Sequence, residues 1–204
     1  MDRSTPETLN LLEALRREKD PTFAGLVERH HAKLLAVARS YLKDGEAEEA
    51  VQEAWISAYK AIDNFEGRSS IQTWLIRIVI NEAKMRLRKA GREPTVSLSS
   101  VDSDAMAGRF KENGSWREPP VRWDFSSPDE LLQERNLIDC IEKTLTSLPV
   151  NQRCVMELRD MDGLEFEDIC NVLDLSASNV RVLLHRARTQ LFAMVENYQE
   201  TGQC

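Results

Sequence analysis

Apolar residues along this chain recur at steps of three and four, the spacing that lays one hydrophobic stripe along a helix. Phe23, Leu26, Val27, His30, Leu34, Val37, Ala38 and Tyr41 form the first stripe, opened by Asp20-Pro21 as cap and first helical residue. After Gly45 a second stripe runs through Ala47, Ala50, Val51, Ala54, Trp55, Ala58 and Ile62. The segment Asn64-Phe65-Glu66-Gly67-Arg68-Ser69-Ser70 breaks the period with turn formers around one large ring. Ser70 then caps a third helix whose inward residues read as Ile71, Trp74, Leu75, Ile78 and Val79. Three to four helices of this length can close a small bundle.

From 93 to 128 the period is lost among Pro94, Ser97, Ser99, Ser100, Gly108, Gly114, Pro119 and Pro120, which reads as an extended linker. Phe110, Trp116, Trp123 and Phe125 within it are rings of the kind that find a surface to bind. Helical spacing resumes at Ser127-Pro128-Asp129-Glu130, a cap, a first-turn proline and first-turn acids. Leu131, Ile138, Ile141, Leu145 and Leu148 form the next stripe, and Pro149 opens a helix through Val155, Met156 and Leu158 that Asp162-Gly163 stops. A short helix with Phe166, Ile169, Cys170 and Leu173 follows, then a turn at 174–176. The last helix points Val180, Leu183, Leu184, Ala187, Leu191 and Met194 inward. No segment has the strand period. The fold class expected is all-α: two small helical domains joined by a long extended linker. The boundaries read as an N-terminal extension (1–19), a first domain (20–92), the linker (93–128), a second domain (129–197) and a tail (198–204).

Composition agrees: 8 glycines and 7 prolines in 204 residues are few for a fold built from many tight turns. No run of about 18 apolar residues is present and MDRSTPETLN has no apolar signal core, so neither a membrane span nor export is expected. The expected location is the cytoplasm. Cys140, Cys154, Cys170 and Cys204 lack Cys-x-x-Cys spacing and read as buried or incidental thiols, neither a disulfide frame nor a zinc site.

The net charge of −7 hides a pattern. Residues 44–53 hold five acids and no base, whereas 76–92 hold Arg77, Lys84, Arg86, Arg88, Lys89 and Arg92 against Glu82 alone. Residues 157–174 hold seven acids against Arg159, and 176–188 then hold Arg181, Arg186 and Arg188 with no acid. Two basic stripes, each preceded by an acidic one, suit a protein with two kinds of partner and weak DNA binding on its own.

The order short helix, turn, basic helix over 165–188 reads as a helix-turn-helix. With Val180, Leu183, Leu184 and Ala187 inward, the residues Ser178, Asn179, Arg181, Val182, His185, Arg186 and Thr189 face outward. They start at a helix N-terminus that favours phosphate, with arginines able to reach base edges.

The stretch LPVNQRCVMELRDMDGLEFEDICNVLDLSASNVRVLLHRARTQL resembles region four of the bacterial extracytoplasmic-function (ECF) sigma factors, a branch of the sigma-70 family. Upstream, AEEAVQEAWISAYKAIDNFEGRSSIQTWLIRIVINEAKMRLRK resembles region two of the same family, in the family's order. The resemblance implies a promoter-specificity subunit that binds core RNA polymerase, through its β′ clamp helices and β flap, as a monomer. It implies that Glu48, Glu49, Gln52 and Glu53 contact the polymerase. It places the melted −10 strand on Phe65, Arg68, Ser69, Ser70, Arg77, Asn81, Lys84 and Arg88, where an irregular loop and a cationic track suit an extruded base and its phosphates. It places the −35 duplex on Ser178, Asn179, Arg181, Val182, His185 and Arg186. Val182 departs from the polar or basic residue common in relatives; it can touch a thymine methyl but cannot hydrogen-bond a base. The linker would occupy nucleic-acid space near the polymerase cleft, and an anti-sigma factor is the expected regulator.

No enzyme is expected, nor any cofactor or metal. Glu28-x-x-His31 has the spacing of a di-iron helix but no second such pair, and no phosphate-binding glycine loop, His-Glu-x-x-His or Gly-x-Ser-x-Gly occurs. The alternative is a stand-alone dimeric helix-turn-helix regulator, which explains 165–188 but not the basic stripe at 77–92. A protein adaptor is a weaker third.

Overall fold

The computed structural model describes residues 6–92 and 135–204, and every regular element among them is helical. They are α1 (Pro6–Arg17), α2 (Lys19–Arg39), α3 (Asp44–Ala61) with a 3-10 turn at Ile62–Asn64, and α4 (Ile71–Lys89). After them come α5 (Arg135–Ser147), α6 (Val150–Met156) running into a π turn at Glu157–Met161, α7 (Phe166–Leu173) and α8 (Ala177–Thr201). The reading of 93–128 as linker and of Ser127–Glu130 as a helix start lies outside the described residues.

Two compact units divide the chain. The first contains α1 to α4 together with residues 163–174, hence α7; the second contains α5, α6 and α8. The boundaries read from sequence keep α7 with its neighbours, so the packing groups this helix differently from chain order.

In the first unit α2, α3 and α4 pack on one another. The facing side of α3 is small: Ala47, Ala50, Ala54 and Ala58 are all buried, which lets the axes approach closely. Into that space α2 sends Leu26, Leu34 and Val37, and α4 sends Leu75, Ile76, Val79 and Ile80. Each of these buried branched side chains contributes about 1.5–3 kcal/mol. Phe23 meets Trp55 and Tyr59 edge-on, with ring centroids 5.6 and 5.1 Å away. A polar cluster fixes the same corner: Lys19 pairs with Asp63 at 2.7 Å and lies over the Tyr59 ring, whose hydroxyl donates to Asp20 at 2.7 Å.

The predicted stripes of α2 and α3 are buried except at Val27, which is half-buried. On α4 the phase differs: Ile76, Ile80 and Ala83 are buried beside Leu75 and Val79, while Ile71, Trp74 and Ile78 are half-buried. Helix α2 starts at Lys19, one residue before the predicted cap, and the N-terminal extension contains α1, whose Thr8 and Leu15 are buried. α7 lies against α4 in this unit, the Lys84 ammonium donating to the Leu173 carbonyl at 2.9 Å.

In the second unit α8 packs on α5 and α6. Its buried residues include Leu137, Cys140, Leu148, Val155, Leu158, Val180, Leu183, Leu184 and Ala187. Along the far half of α8 Phe192 and Val195 are buried, rather than the predicted Leu191 and Met194, which are half-buried. The cysteine reading also needs correction. Cys140 and Cys204 form a disulfide with Cα atoms 5.5 Å apart, while Cys154 and Cys170 remain thiols. Sixty-four residues separate the bonded pair, and only the packing of α8 back onto α5 brings them together.

Candidate nucleic-acid interface

The irregular loop between α3 and α4 is fixed at both ends. The Phe65 amide donates to the Ile62 carbonyl at 3.0 Å, and Gly67 turns the chain at φ +73°, a conformation that costs glycine little. At the far end Ser70 Oγ accepts the Thr73 amide hydrogen at 3.0 Å and shares a second hydrogen bond with the Thr73 hydroxyl at 2.8 Å. The predicted cap is therefore present. Phe65 is buried with its ring centroid 5.3 Å from that of Trp74, so this ring supports the loop from beneath.

A cavity of about 480 Å³ opens within the first unit. Of the residues predicted for the −10 strand it gathers Phe65, Arg68, Ser69 and Arg77. It adds Asn64, Glu66, Thr73 and Trp74, and its opposite wall is Glu167, Asp168, Asn171 and Val172 of α7. Trp74, expected on the core stripe, is half-buried and lines this cavity one turn into the helix, next to the loop. The acidic wall carried no local signal, since α7 lies ninety residues away in sequence.

Arg77, Asn81, Lys84 and Arg88 follow at steps of four, three and four, so they share one face of α4, turned away from Ile76, Val79 and Ile80. Arg77, Asn81 and Arg88 are exposed. Lys84 is half-buried by its bond to the Leu173 carbonyl, and Arg68 is paired with Glu66 at 3.0 Å.

The acidic face of α3 is exposed at Glu48, Glu49, Gln52 and Glu53, with exposed Ile56 and Tyr59 further along the helix. Glu49 accepts from Arg86 of α4 at 2.8 Å. At the start of α3, Glu46 is paired with Arg92, and this hydrogen bond holds the Glu46 carboxyl below the usual carboxylate range. Part of the basic stripe, Arg86 and Arg92, is therefore paired with acids of α3.

In the second unit α8 is capped by Ser176, whose hydroxyl accepts the Asn179 amide hydrogen, two residues after Asp174 in the left-handed conformation at φ +59°. The short α7, this turn and α8 give the predicted helix, turn, helix order. Ser178, Arg181 and Val182 are exposed, and Asn179, His185 and Arg186 half-buried, on the side opposite Val180, Leu183, Leu184 and Ala187. Val182 is among the exposed large apolar residues at 39%. Arg188, the last base of that stripe, is committed elsewhere: its guanidinium meets both oxygens of Asp160, with Nε at 2.9 Å from Oδ2, and the side chain is only 11% exposed. It holds α8 to the π turn.

Among the described residues no group of three or more His, Cys, Asp or Glu side chains could hold a metal ion, and no helix is long and apolar enough to cross a membrane.

A basic stripe on a three-helix core, and an arginine-bearing helix that follows a short helix and a tight turn, are features of the kind that nucleic-acid-binding proteins present. The description "Sigma-70 region 2" fits residues 26–93, and "Sigma-70, region 4" fits residues 138–191. The chain is 35% identical over 179 residues to the ECF RNA polymerase sigma-E factor of Escherichia coli K12, covering 87% of this chain and 88% of that one. It is 34% identical over 180 residues to the RNA polymerase sigma-H factor of Pseudomonas aeruginosa PAO1, with the same coverage. The chain belongs to the ECF sigma factors, proteins of transcription initiation. In fold it is similar to the sigma factor RpoE solved with the anti-sigma factor NepR from Bartonella quintana, at a TM-score of 0.58, 24% identity and coverage of 85% of this chain and 96% of that one. It is similar also to CnrH solved with the cytosolic domain of CnrY, at a TM-score of 0.56, 23% identity and coverage of 91% and 95%. Both basic elements fall inside sigma-70 regions, and the stand-alone regulator, which leaves the first of them unexplained, is set aside.

Proposed function

We propose that this sigma factor divides its work along the two basic elements, with residues 20–92 binding core polymerase and the −10 element and residues 129–197 binding the −35 element. The observation that carries the reading is the row of exposed Arg77, Asn81 and Arg88, with half-buried Lys84 among them, on one face of α4 that starts at the loop cavity. A base turned out of the duplex would enter between the loop and Trp74, where aromatic and amide groups can stack on it and read its edge. Arg68, Ser69 and Ser70 would line its entry, and the row of cations would carry the phosphates onward.

Glu48, Glu49, Gln52 and Glu53, on an exposed acidic helix face, would meet a basic surface of the polymerase, the glutamine adding direction. Ser178, Asn179, Arg181, Val182, His185 and Arg186 would read the −35 duplex, Val182 selecting for a thymine methyl. A fold relative was solved with the anti-sigma factor NepR, which supports an inhibitor of that kind for this chain as well.

Run-off transcription with purified core polymerase on promoter-bearing genomic fragments tests the whole. New start sites should require both core and this protein. Failure to bind core, with binding to duplex DNA alone, would overturn it. Asn81→Ala should reduce open-complex formation more than core binding; equal loss of both would make Asn81 a structural residue.

A further inference from the structure

We propose that Cys140 and Cys204 form a reversible redox pair that sets the stability of the second unit. Cys140 is buried on α5, whereas Cys204 sits on an exposed tail beyond α8. The tail is held in place by its own hydrogen bonds. Gly202 turns left-handed at φ +69° with its amide on the Tyr198 carbonyl at 2.8 Å, and the Gln203 carbonyl accepts from Asn197 Nδ2 at 2.9 Å. The Gln203 amide donates to Thr201 Oγ1 at 3.1 Å. This fold-back brings Cys204 to α5 across 64 residues of sequence, while the buried Cys154 is in no disulfide. The bond thus joins α5 to the far end of the helix that carries Arg181 and Val182 at its start.

RNA polymerase works in a reducing compartment, where a disulfide that has one exposed partner acts as a transient sensing bond rather than a permanent staple. The oxidant required is a hydroperoxide. The exposed Cys204, as thiolate, attacks one peroxide oxygen; the O–O bond breaks and the departing alkoxide takes up the proton given up by Cys204, leaving a sulfenic acid. Cys140 Sγ attacks that sulfur, the S–O bond breaks, and hydroxide leaves with the Cys140 proton as water. Two thiols and one hydroperoxide give one disulfide, one alcohol (a second water from hydrogen peroxide) and one water. Two electrons pass from sulfur to oxygen. Closing so long a loop restricts the unfolded chain, so the oxidised unit is the more stable.

The sensing role rests on the sigma-factor reading, but the first tests do not. The full chain is treated with one equivalent of hydrogen peroxide, alkylated and mapped by mass spectrometry, then melted with and without thioredoxin. The expected result is a Cys140–Cys204 linked peptide that thioredoxin removes, and a melting midpoint about 10 °C or more higher when oxidised. Cys204→Ser, on the exposed tail, should melt like the reduced chain under both conditions. Thiols that stay free in peroxide, a bond that thioredoxin cannot reduce, or equal midpoints would each overturn the proposal. Transcription from a −35-dependent promoter, between the two midpoints, should then persist only in the oxidised chain. Loss in both forms, with the melting difference intact, would count against the sigma-factor reading and leave the redox pair standing.

Discussion

Replacing Ser70 separates the two tasks that meet at the start of α4. Its hydroxyl accepts the Thr73 amide at 3.0 Å and bonds the Thr73 hydroxyl at 2.8 Å, and Thr73 itself is buried. Ser70→Ala removes a helix cap, a loss of about 1 kcal/mol, and leaves a buried hydroxyl with one partner fewer. The sum should be about 1–2 kcal/mol. In urea, with a slope of about 2 kcal/mol per molar, that lowers the unfolding midpoint by about 0.5–1 M, followed through the fluorescence of Trp55 and Trp74. Ser70→Asp keeps a capping oxygen and adds a favourable charge at the helix N-terminus, so its stability should stay within about 0.5 kcal/mol of the parent. The same carboxylate stands at the proposed entry for the −10 strand, where it repels phosphate, so Ser70→Asp should lose open-complex formation at full stability. Ser70→Ala, held at a temperature where it is folded, should open promoters nearly as well as the parent. An aspartate variant as unstable as the alanine variant would refute the capping argument. One that opens promoters normally would refute the placement of DNA at this loop.

Ile80→Ala, at a side chain with no solvent exposure between α3 and α4, should cost about 2–5 kcal/mol in urea unfolding; less than 1 would mean the site collapses around the gap. Arg181→Ala should weaken binding to a matched −35 duplex by about 1–3 kcal/mol, read by fluorescence anisotropy at fixed salt. Arg188→Ala should do the reverse, lowering stability by releasing Asp160 while sparing the base preference. Glu46 is held below its ordinary value chiefly by the hydrogen bond from Arg92, so its contribution to stability is present above the unfolded carboxylate pKa and lost as pH falls through the folded one. Glu46→Gln should therefore flatten the acid side of the stability curve below about pH 4.5 and leave the neutral side level; an unchanged acid limb would show that the pair does not persist in solution.

What the sequence made legible depended on how sharply each residue type is sorted by water. On α3, alanines alternate with carboxylates, so only one phase buries the first and solvates the second, and the buried stripe follows without ambiguity. On α4, Ile76, Ile78, Val79 and Ile80 are nearly consecutive, so a helix can be rotated by a residue with little change in apolar content. The cations, which are rarely buried unpaired, fix the phase better than the hydrophobes do: Arg77 and Arg88 face outward as their chemistry demands, and the core follows on the opposite side. Charge alone could not rank the arginines of α8. Arg181 and Arg188 are two turns apart in one helix, yet one is exposed and the other is bound by an aspartate 28 residues away. The same holds for Cys140 and Cys204, which no spacing rule connects, and for the α7 residues lining the loop cavity. Arg188, held by Asp160, anchors α8 to the π turn, whereas Arg181 of the same stripe is exposed. That anchoring rests on a long-range pair, which local periodicity does not encode. The paired variants Arg181→Ala and Arg188→Ala test the two proposed roles, one through affinity and the other through stability.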